Sequence, residues 1–279
     1  TTPTSPTLWL PSFDDIDLFQ YARALDVPEG SGTRERQLRV PSPYFVSGRI
    51  SGVTLTPEFL AFLFDLLLGE YDLGYYYPIL GQPPSCCVTF QKGGHWFNAL
   101  GAKIRSATLR YAAEEFWRAD IEFAAYSCPP RTLAAPSPSF GTIHVYPGWN
   151  TKFYVNGSEI KVRSFELTVN NNIPEAMHCS GDRYSYYLGA GEVAVEGTYN
   201  VEFEDISEYT QQLNLTEFSL KAVLLDENGN NEVDIHLPRC HGREKPDFSD
   251  EENLVFIGHP FEAKTATSGV KKLILVKFK

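Results

Sequence analysis

Three short stretches of this chain carry side chains that metal chemistry uses. Asp226 to Asn230 offers oxygen donors in the manner of a calcium loop. Its glycine is misplaced for that turn, however, and Leu237 stands where a bidentate Glu is required, so a hairpin turn is the better interpretation. His178-Cys179 and Cys240-His241 contain zinc-ligand types, but adjacent strand residues point to opposite faces. We therefore predict no metal site.

Paired carboxylates are the other candidate chemistry. Glu202 and Glu204 are two residues apart, share a face in a strand, and could serve a glycosidase. A solvated acidic row on an exposed strand explains the same spacing. No Gly-x-Ser-x-Gly, Walker or Rossmann motif occurs, and the spacing assembles no Ser/His/Asp or Cys/His set. The sequence predicts neither an enzyme nor a cofactor.

The bulk composition narrows the class of protein. With 279 residues the chain is long enough for two domains, each with its own core. Its 15 Tyr and 19 Phe against a single Met favour strands over helical bundles. The formal net charge of -11 comes without a cluster of Lys and Arg, which excludes a protein that grips nucleic acid through its phosphates.

Cysteine usage and hydropathy indicate the compartment. The five cysteines are odd in number and show no CxxC spacing, so we expect reduced thiols in a protein folded in a cytosol. The longest apolar stretch, residues 59–68, is about half as long as the roughly 20 residues that a bilayer span requires. We expect no membrane insertion.

That apolar stretch is predicted to be a helix. Thr56 fits the N-cap position, Pro57 fits the first helical position, and Gly69 ends the segment. The helix is apolar nearly all round and must be buried on several sides. It belongs either to the chain's own core or to a contact with a second subunit. The candidate intersubunit residues are Phe59, Leu60, Leu63, Phe64 and Leu67.

Two long segments alternate apolar and polar residues with the period of a half-buried strand. They cover residues 116–125 and 192–204. Since the apolar residues face the core, the acids between them must point away from it. These acids are Asp120, Glu122, Glu192, Glu196, Glu202 and Glu204.

An eight-residue pattern, x-Arg-Ser-x-x-Leu with two further residues, occurs at 104–111 and again at 162–169. Both copies follow an aromatic strand and a Gly turn, which indicates a duplicated β unit and favours a protein that builds symmetric assemblies. A Pro/Ser-rich segment at 128–139 separates the copies and suits a linker. We divide the chain into an N-terminal arm (1–44), a first domain (45–130) and a second domain (131–279).

The order of these motifs resembles a known family. In the second half the motifs are Val162 to Asn171, the turn Gly189-Ala-Gly191, the strand Val193 to Glu204, a helix from Asp205, and a hairpin ending Ile235-His236-Leu237-Pro238. This series resembles bacteriophage tail tube proteins. The first half, through Leu55-Thr56-Pro57-Glu58, the apolar helix and Gly101 to Ile104, resembles the leading copy in two-domain tail tube proteins of long-tailed phages.

The resemblance implies a mostly β fold of two tandem tube domains, each a β-sandwich or barrel with a short flanking helix. Sheets would join between subunits into a closed barrel. A homotrimer would form a pseudo-hexameric ring, and stacked rings would form the tail tube of a virion assembled in the host cytoplasm. The six acids named above would line the lumen, through which double-stranded DNA passes without tight binding. A tape measure protein would be a further partner.

Two other functions remain open. A tail-tip hub or adaptor uses the same duplicated fold but forms one ring without stacking. A carbohydrate-binding β-sandwich, or a glycosidase built on one, would use Trp and Tyr together with paired acids.

Overall fold

The computed structural model describes residues 8–10, 12–27, 38–133, 136–137, 142–174, 188–202, 216–230, 232–243, 246–251, 254–265 and 272–279. The first half contains β1 (Asp15–Val27), β2 (Leu38–Thr54), α1 (Pro57–Leu68), β3 (Gly69–Asp72), β4 (Tyr75–Pro78), β5 (Cys86–Lys92), β6 (His95–Ala112) and β7 (Arg118–Ala124). The second half contains a 3-10 turn (Gly148–Asn150), β8 (Thr151–Val155), β9 (Ser158–Ile160), β10 (Val162–Asn170), β11 (Ala194–Glu202), β12 (Phe218–Leu224), β13 (Val233–Gly242), β14 (Asp247–Glu251), β15 (Leu254–Ala263) and β16 (Leu275–Phe278).

The strands form one large antiparallel sheet that does not close on itself. Eight strands follow one another in the order β1-β2-β7-β6-β10-β11-β15-β14. Beyond β15 the pairing continues through β13, β12, β8 and β9, while β16 joins β13 to β4. The prediction of a mostly β fold is confirmed, and α1 is the one α-helix among the described residues. The helix expected from Asp205 lies outside them.

The two copies of the repeated pattern lie side by side. The first copy is in β6, the second is in β10, and these strands pair antiparallel. Leu109 lies opposite Leu167, its equivalent in the repeat, so a local two-fold axis passes between the copies. Thr108 and Thr168 share a hydrogen bond of 2.9 Å across this pair. The two halves of the chain therefore meet in one continuous sheet, and the domain boundary near residue 130 stays a prediction.

The apolar face of this sheet is covered within the chain itself. α1 begins as predicted, with the Thr56 hydroxyl accepting a hydrogen bond from the Phe59 amide at 3.2 Å, and it ends at Gly69 in the left-handed conformation. All five candidate intersubunit side chains are at most 4% exposed: Phe59, Leu60, Leu63, Phe64 and Leu67. Their burial fits the core interpretation of α1 and leaves little of these side chains for a second subunit to contact.

An aromatic cluster fills the core where the two halves meet. The indole of Trp117 is fully buried and stacks on Tyr111 with 5.3 Å between ring centroids. Phe153 and Phe165 continue the cluster, with 5.1 Å between their centroids. The indole N–H of Trp117 donates to the Thr151 hydroxyl at 2.8 Å, which satisfies its one polar group. This cluster fixes the ends of β7 and β8 against β10.

Candidate functional site

The face of the sheet that points away from the core forms a polar surface. Successive residues of a strand point to opposite faces, so the buried side of β6 and β10 leaves their polar residues on the other side. The register aligns these residues in rows across the strands. One such row runs Asp120, Thr108, Thr168, Glu196 and Glu262 over β7, β6, β10, β11 and β15. Both halves of the chain thus contribute to one polar surface, which we call the polar face.

Four of the six predicted acids lie on the polar face. Alternation places Asp120 and Glu122 of β7 there, together with Glu196 and Glu202 of β11. Glu192 is exposed just before β11 begins. Glu204 lies outside the described residues. The structure therefore brings acids from two distant segments of the chain, β7 and β11, onto one surface.

The acids are accompanied by arginines that the sequence reasoning missed. Asp120 forms ion pairs with Arg49 at 3.1 Å and with Arg110 at 2.9 Å, and it accepts a hydrogen bond from the Gly52 amide at 2.8 Å. Glu196 pairs with Arg243. The polar face therefore has mixed charge. The alternation of polar and apolar residues in β6 places Arg110 on the outward face, so the sequence could have identified this arginine. The sequence contains no signal that Arg49 pairs with Asp120.

A groove of about 580 Å³ opens at the end of the polar face where β6 ends and β7 begins. It is lined by Asp14, Arg110, Tyr111, Ala112, Glu115, Phe116, Arg118, Ser164, Phe165, Glu166, Thr198 and Asn200. Arg118 is held by both carboxylate oxygens of Asp14 at 3.1 Å, and the Asn200 amide donates to the Ser164 hydroxyl at 2.6 Å. Among the described residues that line the groove there is no histidine or cysteine.

One group among the described residues has the spacing of metal ligands. Ligand atoms of His144, Asp226 and Glu227 lie within 4.8 Å of one another. His144 Nδ1 is 2.8 Å from Glu227 Oε1, and this hydrogen bond raises the pKa of His144. The other Glu227 oxygen accepts from the Val145 amide at 2.9 Å. These groups could approach one divalent cation, but in the structure their hydrogen bonds tie the segment before β8 to the β12–β13 turn.

That turn contains the stretch that resembled a calcium loop. Asp226 is buried, and its Oδ1 accepts hydrogen bonds from the amides of Asn228 and Asn230 at 2.9 and 2.7 Å. Gly229 adopts φ 75°, as a tight turn requires. The stretch is a hairpin turn between β12 and β13, as the sequence predicted.

The remaining candidates offer little reactivity. Cys240 is buried, and burial raises the pKa of its thiol to about 12, so the nucleophilic thiolate is scarce. Burial likewise raises the pKa of Cys86 to about 12 and that of Cys128 to about 11. His241 Nε2 lies 3.6 Å from Glu217 Oε1. His178-Cys179 lies outside the described residues.

Comparison with known proteins identifies the family. A profile of the family described as phage tail tube protein matches residues 3–269, nearly the whole chain. Among the curated proteins no match is found. In the part of the chain that the structure describes, no helix is long and apolar enough to cross a membrane. The resemblance seen in the sequence is confirmed, and the chain belongs to the phage tail tube protein family.

Proposed function

We propose that this structural protein forms the wall of a tail tube as a trimer per ring, with the polar face turned toward a central channel. The observation that carries the proposal is the open run of eight strands, β1-β2-β7-β6-β10-β11-β15-β14, within the large sheet. Its outer strands, β1 and β14, each have a single neighbour among the described residues. Unpaired edges favour pairing with another chain, and closure into a barrel removes them.

The strand count supports a wide channel. Three chains would supply roughly 24 strands, more than the 16–18 of porins that already enclose water. The adjacent repeats in β6 and β10 give each chain two related halves, so three chains present six similar units around the ring. Rings of this kind would be pseudo-hexameric.

The charge of the polar face suits a conduit for DNA. Arg49 and Arg110 share the carboxylate of Asp120, so a passing phosphate must compete for either arginine with a carboxylate that is already in contact. Tight binding of nucleic acid needs Lys and Arg that can replace condensed counterions. We therefore propose that stacked rings guide double-stranded DNA out of the capsid without holding it. A virion location, assembly in the host cytoplasm and a tape measure protein as a further partner belong to the same proposal.

Electron microscopy of the purified protein tests this function. We expect rings and stacked tubes by negative stain, and an image average of the tube that places β6 and β10 on the channel wall. Sedimentation from micromolar to millimolar concentration should show self-association. A strictly monomeric species would contradict the proposal. Single rings that never stack would favour the tail-tip hub or adaptor instead.

A further inference from the structure

One end of the sheet carries an exposed aromatic pair. Trp149 is 65% exposed and Phe116 is 42% exposed, with 6.1 Å between their ring centroids. Phe116 immediately precedes Trp117 and the start of β7, and Trp149 lies in the 3-10 turn before β8. Two neighbouring large aromatic side chains in solvent form a surface of the kind that protein contacts use.

The backbone that carries this pair is held rigidly from below. The Gly148 amide donates to the Glu115 carbonyl at 2.8 Å, and the Trp117 amide donates to the Tyr146 carbonyl at 2.9 Å. The Asn150 side chain donates to the Asp226 carbonyl at 2.7 Å. A Cβ at position 148 would lie 2.4 Å from the Ala112 carbonyl oxygen, so the turn packs against the end of β6 as only glycine allows.

Such support makes the pair suitable as a binding anchor. An aromatic side chain on a fixed backbone loses little conformational entropy when it is buried by a partner. Tryptophan is also enriched among the few residues that dominate interface energetics. Trp117 follows Phe116, Tyr146 precedes Trp149 by three residues, and these two buried residues, joined by a backbone hydrogen bond, provide that fixed backbone.

The opposite end of the sheet also exposes apolar side chains. Tyr126, two residues beyond β7, is 42% exposed, and Leu80 is fully exposed. The neighbour of Leu80, Ile79, donates its amide to the carbonyl of Leu68, where α1 ends. The Asn171 side chain donates to the carbonyls of both Leu67 and Ile104, and Ile104 lies opposite Phe123, so this end of α1 is at the Tyr126 end of β7. Phe116 and Tyr126 flank β7, whose seven residues span about 23 Å at 3.3 Å per residue. The chain thus exposes different apolar groups at the two ends of one strand.

We propose that Trp149 and Phe116 form the contact that stacks one ring on the next, by docking against the Leu80 and Tyr126 end of a second copy of this chain. The inference rests on the proposed function, since it names the contact that function needs. A contact of one patch with itself closes after two rings, whereas a contact between two different patches continues indefinitely. Unlike patches at opposite ends of a strand are what an open stack requires.

Removal of either patch should leave rings and abolish stacking. We expect Trp149→Ala to form rings with wild-type circular dichroism but to need at least about tenfold more protein to form tubes, because loss of an anchor residue weakens a contact by at least that factor. Trp149→Phe should restore stacking. Leu73→Asn is the matched control, since Leu73 is 87% exposed on the β3–β4 hairpin and belongs to neither patch.

A mixing experiment tests the pairing of the two patches. Rings of Trp149→Ala and rings of Leu80→Asp should each stay single, because each lacks one side of the contact. In the mixture, the intact Trp149 patch of a Leu80→Asp ring can still dock against the intact Leu80 end of a Trp149→Ala ring. We therefore expect two-ring particles that grow no further, measured by sedimentation and electron microscopy. Tubes formed by Trp149→Ala at wild-type concentration, or a mixture that stays single, would overturn the inference. Absence of rings in the wild type would instead contradict the proposed function.

Discussion

Replacement of Leu63 by Asp tests whether α1 belongs to the chain's own core. Leu63 is 1% exposed and lies one turn before Leu67, which is equally buried. Removal of the leucine side chain from the core costs about 1.5–3 kcal/mol in transfer free energy. The space is then filled by a carboxyl group without a partner of opposite charge.

The buried carboxyl group adds the larger cost. Full burial raises the pKa of a carboxyl group by up to 3–5 pH units, and each unit corresponds to about 1.36 kcal/mol. Because the buried carboxyl group ionises only above its raised pKa, the cost at pH 8 is about 4–5.5 kcal/mol. Together with the transfer term the loss is roughly 5.5–8.5 kcal/mol, which is comparable with the whole stability of a typical domain. We expect Leu63→Asp to be largely unfolded at pH 8.

The same pKa argument fixes the sign of the pH dependence. A carboxyl group whose pKa is raised in the folded state destabilises most above that pKa, and its cost falls as the pH drops toward the unfolded value near 3.9. Relative to wild type, Leu63→Asp should therefore recover stability between pH 8 and pH 5. Leu63→Asn should not, because the amide does not titrate. Asp65→Asn, an exposed position on the same helix, should change stability by less than about 0.5 kcal/mol.

Urea unfolding followed by far-UV circular dichroism at pH 5 and pH 8 measures these differences. If Leu63→Asp unfolds at the wild-type urea concentration at pH 8, burial of Leu63 in the core is refuted. A folded monomer that forms no rings would show that this face contacts another subunit. Unchanged ring assembly would show that it is exposed.

Three further predictions concern single side chains. Thr56→Ala removes the N-cap of α1 and should cost about 1 kcal/mol in thermal unfolding, whereas Thr56→Ser should not. Asp120→Ala leaves Arg49 and Arg110 without their shared partner and should destabilise by about 1–3 kcal/mol; a neutral effect would show that the ion pairs contribute nothing. Burial lowers the pKa of His259 to about 4, so its stabilising contribution is complete above pH 6.5 and is lost as the pH falls toward 4. His259→Phe should reduce that loss in pH-dependent unfolding, and an unchanged profile would contradict the assignment.

Local features of the fold were predictable because they depend on neighbouring residues. The Thr56-Pro57 start of α1 and its end at Gly69 follow from capping chemistry that the sequence shows directly. The alternation in β7 and β11 likewise predicted which residues turn away from the core. In each case the determining partners are within a few positions along the chain.

The pairing of β6 with β10 was not predictable in the same way. The repeat is visible in the sequence and favours symmetric assemblies of subunits, but the structure shows that the two copies pair with each other inside one chain. Strand periodicity determines which face a residue occupies, not which strand lies beside it. Partners 58 residues apart are selected by the packing of the whole sheet, and no local pattern records that choice.

The charge of the polar face depends on which strands lie side by side, and strand periodicity does not predict that. Strand alternation alone displays Asp120 as an acid pointing outward, and a row of such acids predicts a strongly negative wall. Arg49 reaches the same carboxylate from a strand 71 residues away, and Arg110 reaches it from β6. A phosphate that approaches either arginine must compete with a carboxylate already in contact, while a paired carboxylate repels it less than a bare one. A wall of paired acids and arginines therefore attracts DNA less than free arginines would and repels it less than a uniformly acidic surface would, which suits the proposed conduit.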